Sequence, residues 1–240
     1  MTEAAFWGLV TGSSLVIGAV VTFIARPRDR VVGLVMAFGA GALISAVAYE
    51  MLGEAVAEGD TEGVVIGLLA GSLVFFLGDT LIDNLGASQR KHIRGEEEEG
   101  QPLAIVLGTV LDGVPESLVL GISLIDGGGA SIALVGATFM SNLPEAIAAT
   151  SGLEKRRWSR GPILLMWTGI MLVTAVASAF GFAVFENSTA TGVWVEAFAA
   201  GAILTMLADA MIPEAYKHGG RLAGVVLVLG FVASLSLTLA

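Results

Sequence analysis

Gly108-Thr-Val-Leu-Asp112-Gly-Val-Pro115-Glu116-Ser117 and Ala137-Thr-Phe-Met-Ser141-Asn142-Leu-Pro144-Glu145-Ala146 are two versions of one phrase, each set inside a long apolar stretch. A carboxylate in a helix that crosses hydrocarbon costs several kcal/mol, so it is retained facing a polar pathway or a partner. Each phrase holds such a residue directly after a proline that kinks a helix, at matching positions of adjacent stretches. The doubling of Pro115-Glu116 in Pro144-Glu145 points to a cation site near the bilayer midplane.

Composition fixes the solvent. Of the 240 residues 55% are hydrophobic and 14% charged, and the mean hydropathy is +0.83, which is far from a soluble globular domain. Stretches long enough to cross about 30 Å of hydrocarbon as helices cover residues 5–25, 31–52, 64–85, 103–125, 130–151, 161–185, 193–212 and 222–239. The expectation is an all-α integral membrane protein of eight spans, a single transmembrane domain over residues 1–240 with no soluble domain left over. The first stretch has no basic residue before it and runs into Arg26, so it reads as an uncleaved span rather than a signal peptide.

The basic residues fall in alternate loops: Arg26, Arg28 and Arg30; Arg90, Lys91 and Arg94; Lys155, Arg156, Arg157 and Arg160; Lys217 and Arg221. The other loops hold Glu54, Glu58, Asp60, Glu62, Asp126 and Glu186 without a Lys or Arg. Basic loops stay cytoplasmic, so both termini are expected outside, in a multi-pass protein of the cell membrane. Loop 86–102 is then cytoplasmic. Its run Glu96 to Glu99 reads as a solvated tether, the alternative being weak cation capture together with His92. The net charge of −10 argues against a nucleic-acid partner. With no Cys, any metal is left with oxygen and a few nitrogen donors.

A second repeat links spans two and seven. Phe38-Gly-Ala-Gly-Ala-Leu-Ile-Ser-Ala-Val-Ala-Tyr-Glu50-Met-Leu-Gly-Glu54-Ala55 aligns without gaps to Phe198-Ala-Ala-Gly-Ala-Ile-Leu-Thr-Met-Leu-Ala-Asp209-Ala-Met-Ile-Pro-Glu214-Ala215. Span two runs outward and span seven inward, as do spans four and five, so both repeats are inverted in the membrane. Inverted repeats that meet at a midplane site of broken helices are the architecture of many secondary transporters. Similarity of this kind also arises from small-residue packing alone, and Gly67 with Gly71 reads as a helix contact.

Asp112 and Glu116 stand four residues apart, as do Ser141 and Glu145, so each pair occupies one helical face about a turn apart. Thr109 and Thr138 extend those faces by a turn. Each proline removes the amide that the carbonyl four residues earlier would accept, freeing the oxygens of Leu111 and Met140. Freed carbonyls beside carboxylates suit a divalent cation, whose charge offsets Asp112, Glu116 and Glu145.

These motifs resemble the ZIP metal transporters, whose fourth and fifth helices carry His-Asn-x-Pro-Glu-Gly and His/Glu-x-x-Pro-x-Glu patterns around a binuclear metal site. Eight spans, outside termini, the loop between spans three and four, and the Ala-Gly-Ala phrase of span seven ending in Ile212-Pro213-Glu214 are similar too. The resemblance covers the full chain. It implies a homodimer that moves zinc, iron, manganese or cadmium into the cytoplasm, with no enzyme activity and no cofactor beyond the transported metal.

Carried over residue by residue, the resemblance makes Glu116 and Glu145 the two bridging carboxylates. Asp112 replaces the histidine of span four and Gly113 the asparagine beside it. Ser141 takes the polar ligand position of span five, and Asn142 follows it. Span six, which supplies a carboxylate in many members, contains none here. The resemblance therefore implies one metal site, built from Asp112, Glu116, Ser141 and Glu145 with Asn142 peripheral, and a weakened or lost second position. An all-oxygen set is better matched to harder ions than a histidine site is. Zinc also binds carboxylates, so the family keeps zinc first, with manganese or ferrous iron behind it.

Asp79 and Asp83 near the inner end of span three, and Asp209 near the inner end of span seven, either line a cytoplasmic exit or pair with Arg90, Lys91 or Lys217. Glu50, with Glu54, lies towards the outer end of span two, where a funnel would form. His218, beside Gly219 and Gly220, reads as solvated. Two classes of function stay open: a permease working by alternating access, and a ZIP-like metal sensor or scaffold that does not transport.

Overall fold

In a computed structural model the described residues are 1–57, 61–82, 102–125, 130–186 and 192–239. Among them the chain is helical between short turns, as it must be where no water is present to satisfy backbone groups. The helices are α1 (Thr2–Ala25), α2 (Asp29–Ala46), α3 (Leu52–Ala57), α4 (Thr61–Ile82), α5 (Pro102–Ile122), α6 (Ile132–Lys155), α7 (Arg160–Phe185), α8 (Gly192–Met206), α9 (Ile212–Gly219) and α10 (Leu222–Thr238). Six helical stretches among the described residues are long and apolar enough to cross a membrane. The apolar α10 is shorter, at 17 residues, and α5 carries two acids and Pro115 within its length.

Two segments read as uninterrupted spans are broken in the same way. A π turn over Val47–Met51 joins α2 to α3, and another over Leu207–Met211 joins α8 to α9. The two turns occupy positions that the repeated phrase aligns residue for residue. Through the second turn the helix continues to Gly219, well past the sequence-based boundary at residue 212. Asp83 and the side chain of Glu54 lie outside the described residues, as does the loop with His92 and Glu96 to Glu99; Pro102 already begins α5.

Lipid is as apolar as the helices, so their association rests on close packing and polar contacts. A Cβ on Gly41 would overlap the Leu227 carbonyl, and one on Gly230 the Phe38 carbonyl, so α2 and α10 cross antiparallel with backbones touching. The same reciprocal contact joins α8 to α4: Gly201 meets the Leu68 carbonyl and Gly71 the Phe198 carbonyl. Phe38 and Gly41 align with Phe198 and Gly201 in the sequence repeat. Gly67 also packs on α8, a Cβ there lying 2.8 Å from the Ala197 Cβ, so both glycines of that spacing are contact residues.

Interhelical hydrogen bonds add to this. Trp167 Nε1 donates to Thr150 Oγ1 at 2.9 Å, Thr205 Oγ1 to Ser72 Oγ at 2.8 Å and Thr174 Oγ1 to the Gly8 carbonyl at 3.1 Å. The largest core cluster draws Met36 and Leu43 from α2, Leu134 and Ala137 from α6, and Ile203 and Met206 from α8. A second joins α1, α6 and α7 through Leu15, Leu153 and Trp167. In α6, 72% of the apolar stretch is buried, against 22% in α4. The helix that carries Ser141 and Glu145 is thus central, and α4 is peripheral.

Candidate metal site

Both proline phrases lie within helices that continue past them, Pro115 in α5 and Pro144 in α6. Their polar residues are withdrawn from the surface: Asp112 is 3% exposed, Glu116 1%, Ser141 0%, Asn142 5% and Glu145 7%. Helical spacing alone makes each pair share a face. Burial shows that both faces point inward, and at membrane depth such acids need a polar or cationic partner.

Ser141 Oγ donates to the Thr138 carbonyl at 3.0 Å. Its proton is thereby committed to the backbone, which leaves the oxygen lone pairs to act as an acceptor or ligand. On α5, Ser117 Oγ donates to the Gly113 carbonyl at 2.7 Å. That buried hydroxyl directly follows Glu116 and was not singled out from the sequence.

The carbonyl released by Pro144 lies close to α2. A Cβ on Gly39 would lie 2.5 Å from the Met140 oxygen and 2.9 Å from the Ser141 Cα. The Met140 carbonyl is therefore packed against α2, in an approach that only glycine permits. Among the described residues no three His, Asp or Glu side chains are gathered closely enough to hold an ion. Asp112 and Glu116 lie a turn apart on α5, and Ser141 and Glu145 a turn apart on α6.

The outlying acids divide. Glu50 is half-buried within the first π turn, and Asp209 is exposed within the second. Asp79 is half-buried near the C-terminal end of α4. Lys217, offered from the sequence as a partner for these acids, has Nζ 4.0 Å from Glu214 Oε2.

His218 is not solvated as expected. Its side chain is 11% exposed, with Nε2 2.9 Å from Oε1 of Glu214, itself 6% exposed. The cause is the close approach of α2, where a Cβ on Gly33 would lie 2.9 Å from both the Gly219 nitrogen and the His218 Cβ. Because α9 runs on to Gly219, Glu214 and His218 are i, i+4 neighbours on one helix face. That spacing is visible in the sequence, but ending the span at residue 212 hid it.

No family model matches the chain. It is 32% identical over 181 residues to the zinc transporter GufA of Myxococcus xanthus, covering 72% of this chain and 69% of that protein. It is 24% identical over 220 residues to an Arabidopsis thaliana protein named as a candidate zinc transporter, covering 91% of this chain and 35% of the plant protein. The chain thus spans about a third of the plant relative's length. With the first likeness extending over most of both proteins, and the doubled Pro-Glu phrases buried on adjacent helices, the chain belongs to the ZIP family of metal transporters.

Proposed function

We propose that this protein carries a divalent cation, zinc first, across the membrane into the cytoplasm past the buried acids of α5 and α6. The observation that carries this reading is the burial of Asp112, Glu116 and Glu145 on two helices that each contain a proline, in a chain related to a protein named for zinc transport. Ser141 contributes a neutral oxygen with its proton turned away, and Asn142 stands beside it. An ion arriving at the midplane draws the two pairs together and offsets negative charge that is otherwise costly there.

The proposed frame is a single domain of eight spans with both termini outside, assembled as a homodimer. Its two inverted repeats move against each other in alternating access. The paired π turns and the paired glycine crossings of α2 with α10 and of α8 with α4 favour the repeat. The one-sided distribution of basic residues favours the orientation. Glu50 lies on the outer approach, and Asp79, Asp83 and Asp209 lie towards the inner exit.

The test is zinc flux into proteoliposomes by wild type, Glu116→Gln and Glu145→Gln. Wild type is expected to transport. Each variant is expected to fold and lose uptake, because removing a buried charge relieves desolvation cost. Wild-type flux in both variants would remove the proposed site. If wild type instead binds zinc without moving it, and the variants lose binding, the chain is a metal sensor on the ZIP fold.

A further inference from the structure

Thr138 is 2% exposed, and its Oγ1 has no hydrogen-bond partner among the described residues. A buried hydroxyl in a helix ordinarily satisfies itself by donating to the carbonyl three or four residues back. This chain does so repeatedly, at Thr22 to Gly18, Ser117 to Gly113, Thr168 to Leu164 and Thr205 to Gly201. Thr138 Oγ1 does not donate to the Leu134 carbonyl in this way. A hydroxyl held in a dry interior without a partner is destabilising, so the fold bears a cost at this position.

Three other buried hydroxyls lack a partner among the described residues, Ser45, Ser178 and Ser234. They sit on α2, α7 and α10, not on the two helices that carry the acids. Thr138 alone lies on α6, three residues before Ser141 and seven before Glu145, on the same face. Its own carbonyl accepts the Ser141 proton, so the Thr138 and Ser141 oxygens stand in sequence about 4.5 Å apart along the axis, with Glu145 about 6 Å further on.

We infer that Thr138 is a positioning residue for the transported ion. Its hydroxyl oxygen replaces one water of the cation's hydration shell as the ion approaches Ser141 and Glu145. The inference rests on the carboxylate site proposed above and extends it by one turn, towards the α6 N-terminus. In the proposed orientation this is the outer side, so Thr138 acts before the acids do. A divalent cation surrenders its water in steps, and a neutral oxygen ahead of the anionic ones provides the first of them.

The experiment measures zinc uptake kinetics and thermal melting for wild type, Thr138→Val, Thr138→Ser, Thr138→Ala and Glu145→Gln in proteoliposomes. Thr138→Val replaces a partnerless hydroxyl by a methyl group of similar shape, so its melting temperature is expected to hold or rise. Its KM for zinc is expected to rise roughly fivefold or more. Thr138→Ser is expected to restore the wild-type KM. A purely structural role would lower the melting temperature and maximal rate together and leave KM alone. Should the valine variant fail to insert, Thr138→Ala removes the same hydroxyl in less volume and is expected to raise KM likewise. An unchanged KM in the folded valine or alanine variant, with Glu145→Gln inactive, overturns the role of Thr138 alone. Uptake retained in Glu145→Gln overturns the carboxylate site and this inference with it.

Discussion

Gly39 and Met140 meet backbone to backbone: a Cβ on the glycine would come within 2.5 Å of the methionine carbonyl oxygen and 2.8 Å of its carbon. Neither atom belongs to a side chain that can swing away. Gly39→Ala must therefore push α2 off α6 at the proline kink. We expect a loss of about 1–3 kcal/mol of stability and a fall in zinc uptake, although the residue bears no ligand. Gly136→Ala on the same α6 has nothing within 4 Å of the new methyl group and is expected to be neutral or stabilising by up to about 1 kcal/mol. Melting in detergent with matched uptake assays checks both, and a neutral Gly39→Ala would mean that the kink tolerates displacement.

Selectivity is tested at Asp112, which the resemblance of the motifs sets at the histidine position of span four. Asp112→His exchanges a hard anionic oxygen for a borderline nitrogen. We expect it to raise the ratio of zinc to manganese uptake, and Asp112→His with Gly113→Asn to raise it further. The second change has room, because a Cβ on Gly113 meets only the Thr174 Cγ2 at 3.6 Å, an ordinary contact. Competitive uptake above pH 7, where an ordinary imidazole is neutral, gives the ratio. An unchanged ratio in a folded, transporting variant would mean that Asp112 does not touch the ion.

The Glu214–His218 contact predicts a stability effect at the inner end of the bundle. His218→Ala removes a side chain with its Nε2 2.9 Å from a buried carboxylate and is expected to cost about 1–3 kcal/mol. Lys217→Ala removes a half-exposed ammonium 4.0 Å from the same group and is expected to cost under about 0.5 kcal/mol. Equal melting temperatures for the two variants would show that His218 does not hold α9 in place.

The orientation is open to direct labelling, since the chain has no cysteine of its own. Single cysteines in place of the exposed Glu62 and Glu186 are expected to react with an impermeant thiol reagent on intact cells. Cysteines in place of the exposed Arg28 and Lys155 are expected to be spared. The opposite pattern would invert the proposed topology.

The buried acids were legible in the sequence because hydrocarbon makes a carboxylate conspicuous: Asp112, Glu116 and Glu145 stand out against apolar neighbours and are all buried. Several helix limits were legible for a related reason. Span six was read as 161–185, and the helix is Arg160–Phe185. The π turns were not legible, because a helix apolar on every side carries no phase against which a change of period would show. The packing of the Met140 carbonyl was not legible: Pro144 explains why the oxygen is released, but only the position of Gly39 shows that α2 lies against it. His218 was misread through a boundary, since ending span seven at residue 212 placed it in a turn instead of a helix that reaches Gly219.

The π turns at Val47–Met51 and Leu207–Met211 fall at equivalent positions of the repeated phrase. A π turn accommodates one residue more than a turn of α-helix, so in covalent terms each is a one-residue insertion. The two phrases that contain them align without a gap, which requires both copies to carry the extra residue or neither.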